Sequence, residues 1–78
     1  MTNNKKEEMT AEKLSHMITV DNVTEQIENG WTNPYMIVEN IVGLDTWRSL
    51  PDWDQKILVA KVHKIAVENA YLRKKYFE

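Results

Sequence analysis

From Asp52 to about Lys75 the chain contains neither proline nor glycine, and no other stretch limits its folding so strongly. This stretch predicts one long helix of roughly 25 residues, about 37 Å at 1.5 Å per residue. Its apolar side chains do not form one stripe. At about 100° per residue, Trp53, Ile57, Ala60, Val67 and Tyr71 cluster on one side, and Leu58, Val62, Ile65, Leu72 and Tyr76 on a second. Val59, Ala66, Ala70 and Phe77 fall on a third. A helix that is apolar nearly all round is expected to be covered nearly all round.

The chain has 78 residues, of which 42% are hydrophobic. That suits one domain and is too little for two. The remainder offers only short helical segments. Thr10 is placed to cap a helix that ends near Ile18, and Asp21 to cap a second that closes at Asn29-Gly30. Asn33 and Pro34 open a third, which Gly43 ends. Residues 18–20 and 36–38 are rich in β-branched side chains and could be extended instead. The Pro and Gly positions favour helix for 36–38. Asp45 to Arg48 reads as a connector with room for a helical turn. Ser49 and Asp52 resemble a capping box, with Pro51 in the first turn of the long helix. The expected fold is all-α, a small helical bundle with three short helices packed on one long C-terminal helix. Residues 1–9, polar and charged, read as a flexible leader, and residues 10–78 as a single helical domain.

Several function classes are disfavoured by what the residues lack. There is no cysteine, hence no disulfide, thiolate nucleophile or cysteine zinc site, and a reducing, cytoplasmic setting is expected. No apolar run approaches a membrane span of ~18 residues. His16 and His63 stand without metal-ligand spacing and read as surface histidines. Asp45, Asp52 and Asp54 gather at the start of the long helix, where acids serve the helix dipole. The two glycines, Gly30 and Gly43, form no phosphate-binding loop. No enzyme, cofactor, metal or small-molecule substrate is expected.

Three short helices can cover only part of a long rod. The expected role is therefore a non-enzymatic protein-binding module or regulator, of the bacterial or phage accessory type, self-associating as a homodimer through its C-terminal helix. The candidate contact residues are Trp47 and Arg48 on the connector, with Val59, Ala66, Ala70 and Phe77 along the helix. Charge allows a second class. Formal net charge is −2, but residues 19–45 carry five acids and no base, whereas residues 46–78 carry seven bases and four acids. The two short helices around Gly30 have the outline of a helix-turn-helix. A DNA-binding regulator would then use Lys61, Lys64, Arg73, Lys74 and Lys75. The helix that would read bases carries no Lys or Arg, which leaves this the alternative.

Overall fold

The computed structural model describes residues 10–77, and among these every regular element is helical. The helices are α1 (Ala11–Leu14), continued by a 3₁₀ turn at Ser15–Met17, α2 (Val20–Glu28), α3 (Pro34–Val42), α4 (Leu44–Ser49), α5 (Asp52–Glu68) and α6 (Ala70–Tyr76). The leader assigned to residues 1–9 lies outside the described residues.

Local chemistry explains most boundaries. The Thr10 hydroxyl accepts from the Lys13 N–H, as a helix N-cap does. For α2 the cap is Thr19, whose hydroxyl accepts from the Asn22 N–H. Asp21, the expected cap, lies inside the first turn, where its charge suits the helix dipole. Thr19 is the extended residue of the 18–20 run, and Val20 already starts the helix. At the other end, the Trp31 N–H reaches the Gln26 carbonyl and the Gly30 N–H reaches that of Ile27, a Schellman closure. It requires the left-handed backbone that Gly30 adopts at φ 100°. Asn33 caps α3 through the Tyr35 N–H, with Pro34 at the first helical position. Residues 36–38 are helical. Gly43, at φ 96°, ends α3 and at once begins α4, so the expected connector is itself a short helix.

Two expectations fail at the C-terminal third. Ser49 forms no capping box with Asp52. Its hydroxyl donates to the Thr46 carbonyl, and Pro51 holds the N-cap position of α5 with no side-chain cap. The single long helix is broken as well. Asn69 leaves helical geometry at φ −104° and ψ 114°, and its side-chain oxygen accepts from the Leu72 N–H to start α6. Asparagine can break a helix without help from Pro or Gly because its amide competes for backbone hydrogen bonds.

This break shapes the core. It lets α6 fold against α2 and α5, and α5 packs in addition against α1 and α3. Leu58, Val62 and Ala66 of α5 are buried with Leu72 and Tyr76 of α6. They meet Leu14 and Ile18 from the first segment, Val23 and Ile27 from α2, Ile37 and Val38 from α3, and Leu50. Two polar contacts tie the N-terminal segment down. Lys61 donates to the Ser15 carbonyl at 2.7 Å and to its hydroxyl at 2.8 Å. The Asn22 amide donates to the Met17 carbonyl at 2.7 Å. No helix of the described residues is long and apolar enough to cross a membrane.

Candidate protein-docking face

The core uses one side of α5 and leaves the opposite side open. Trp53 is 72% exposed and Ile57 43% exposed. Ala60 is exposed and Val67 half-buried on the same side. Beside this stripe the start of α3 stands as a wall. Pro34 and Tyr35 face Val59, Ala60 and Val67 across an open groove of about 610 Å³, edged by Lys56, His63, Lys64 and Glu68. The wall is held in place by packing: the Tyr35 ring meets Trp47 edge to face at 6.3 Å. Trp47 is itself fixed, since its carbonyl accepts from the Gln55 amide of α5 at 2.8 Å.

The residues expected to make contacts are thereby separated. Trp47 is half-buried and buttresses Tyr35, while Arg48 is exposed on α4. Val59 is half-buried against the core and also lines the groove. Ala66 is fully buried, which takes it off any surface. Ala70 and Phe77 are exposed, but they lie on α6, past the break at Asn69. Phe77 is 61% exposed and stacks edge-on with Tyr76 and with His63, which itself edges the groove. The apolar contact face therefore consists of Trp53, Ile57, Ala60 and Val67 with Tyr35. The helical wheel had already grouped the α5 members of that face. In sequence Tyr35 belongs to an apolar stripe with Val38, Ile41 and Val42, but it is exposed, because its place depends on how α3 crosses α5.

The basic residues are scattered too. Lys61 points to Ser15, away from the groove. Lys64 stands at the groove edge. Arg73 donates to the Val67 carbonyl at 3.3 Å, and Lys75 sits over the Tyr71 ring at 5.5 Å. Lys74 is exposed in the last turn of α6. In the α2–α3 pair, Ile37 and Val38 of α3 are buried, and its remaining surface offers Tyr35, Met36, Glu39 and Asn40 with no cation.

The two tyrosines of α6 are tied to packing. Tyr71 donates to Glu28 at 2.8 Å, and this hydrogen bond raises its phenol pKa from the ordinary 10.0. Burial raises that of Tyr76. His63 is exposed and lies 3.4 Å from the Tyr76 hydroxyl. Among the described residues no cluster of three His, Asp or Glu side chains could hold a metal ion. Comparison of the chain with protein-family models, with curated proteins and with solved structures finds no match.

Proposed function

We propose that the chain is a small non-enzymatic protein-binding module, a regulator or accessory protein, that holds another polypeptide on the outer face of α5. The observation that carries this reading is Trp53 and Ile57 standing in solvent beside an apolar groove. A tryptophan with apolar neighbours is the kind of anchor that dominates protein interfaces. A contiguous apolar patch on so small a surface marks an interaction site. A rigid helix next to a fixed aromatic wall is suited to receiving a helix or an extended segment. Self-association through this helix, as a two-fold contact, is one form of the reading. The lack of cysteine suits a reducing compartment such as the cytoplasm. Binding to DNA is the weaker reading, because Arg73, Lys74 and Lys75 would have to act without a cationic helix in the groove of the duplex.

Photo-crosslinking in the source cells tests the proposal. A benzophenone amino acid placed at Ile57 is expected to form a defined protein adduct, and one placed at Asp21, also exposed, is not. Equal adducts at both positions, or none at either, would contradict it. Sedimentation equilibrium of the purified chain distinguishes a second copy from a different protein.

A further inference from the structure

We infer that the polypeptide received on this face is an acidic amphipathic helix of a different protein, an inference that rests on the docking role proposed above. The outer face of α5 has the spacing of a helix-pairing seam. Trp53, Ile57, Ala60, Lys64 and Val67 follow one another at intervals of four, three, four and three residues. That repeat keeps one line of side chains toward a neighbouring helix. From Trp53 to Val67 the seam is about 21 Å long, enough for a partner helix of roughly 14 residues.

Charge selects the partner. Between Gln55 and Val67, α5 carries Lys56, Lys61, His63 and Lys64 and no acid. Lys61 is turned away to Ser15. Lys56 and Lys64 edge the groove and make no hydrogen bond or ion pair with the described residues. Acids occur only at the two ends of α5, at Asp52, Asp54 and Glu68. The middle of the seam is therefore positive, and Lys64 lies within the seam itself. A second copy would bring two such middles together and bury like charge against like, a cost that specific interfaces avoid. A helix with an apolar stripe and flanking carboxylates would satisfy the same surface. Lys56 and Lys64 are eight residues apart, about 12 Å along the axis, so the matching acids stand two helical turns apart on the partner.

The probes are two helical peptides of about 14 residues sharing one leucine stripe. One carries Glu two turns apart beside the stripe and the other carries Lys at the same positions. Fluorescence anisotropy is recorded with the wild type and with Lys56→Glu/Lys64→Glu. Both substituted residues are exposed, and far-ultraviolet circular dichroism verifies the fold. The acidic peptide is expected to bind the wild type at least about tenfold more tightly than the basic one, with the order reversed for the double variant. Raising salt from about 50 mM to about 500 mM should shrink both preferences. Equal binding of the two peptides would overturn the inference and leave the docking role standing on apolar contact. Failure of both, with a dimer in sedimentation that Trp53→Ala weakens, would assign the face to a second copy. Failure of both with a monomer that yields no crosslink at Ile57 would remove the docking role as well.

Discussion

Replacing Asn69 by alanine tests the break that creates the fold. In the folded chain Asn69 is extended, and its amide oxygen accepts from the Leu72 N–H at 3.2 Å. Alanine loses that cap, at a cost of about 1 kcal/mol. It would recover something only if α5 and α6 joined into one helix, where alanine gains roughly 0.6 kcal/mol of propensity over asparagine. Joining them would swing α6 off α2 and expose Leu72 and Tyr76, both now buried. That exposure forfeits about 3–6 kcal/mol for the two side chains together, several times the propensity gain. The break should therefore persist and the variant should simply be weaker. With a urea slope near 1 kcal/mol/M for a chain this small, the unfolding midpoint should fall by about 1 M. Asn69→Asp keeps the acceptor and should stay within a few tenths of a kcal/mol of the wild type. An Asn69→Ala midpoint equal to or above that of the wild type, with increased helical dichroism, would refute the reasoning and show that one long helix is accessible.

Three further outcomes follow from the packing and the titrating groups. Leu58→Ala removes a fully buried side chain from the centre of α5 and should cost about 2–5 kcal/mol in chemical unfolding; a loss below about 1 kcal/mol would mean that the core is not packed as described. Gly43→Ala meets no atom within 4 Å but must hold φ 96°, so it should destabilise by about 1 kcal/mol through backbone strain alone, and an unchanged melting temperature would count against that turn. The Tyr76 phenol is favoured in its neutral form by burial. Its contribution to stability is thus complete below pH 10.0, the ordinary value, and is lost as pH rises through the raised folded value. Dichroism followed into alkali should show α6 unpacking in that window, and the loss should be shallower in Tyr76→Phe.

The helical class, the Asn29-Gly30 and Asn33-Pro34 boundaries and the stop at Gly43 are all written in local sequence, since each rests on a backbone preference of one or two residues. The break at Asn69 was hidden. Asparagine is tolerated within helices as well as at caps, and here tertiary burial of Leu72 and Tyr76 decides between the two. For the same reason the apolar sides of the C-terminal third could be grouped from sequence, but not ranked. Ala66 turned inward while Ala60 turned outward because α1, α2 and α3 approach α5 from one side. The groove wall at Tyr35 and the placing of Lys56 and Lys64 at its edge depend on helices meeting from distant parts of the chain. No periodicity within a single segment records that.

The claim that the outer face of α5 receives another helix is tested most directly by titrating the isotope-labelled protein with the acidic peptide and following its amide and methyl resonances. Saturable shifts should concentrate on Trp53, Ile57, Ala60, Lys64 and Val67, with Val59 in the groove and Tyr35 across it. Shifts confined to α2, or to the α1 segment, would place the binding surface elsewhere and contradict the account.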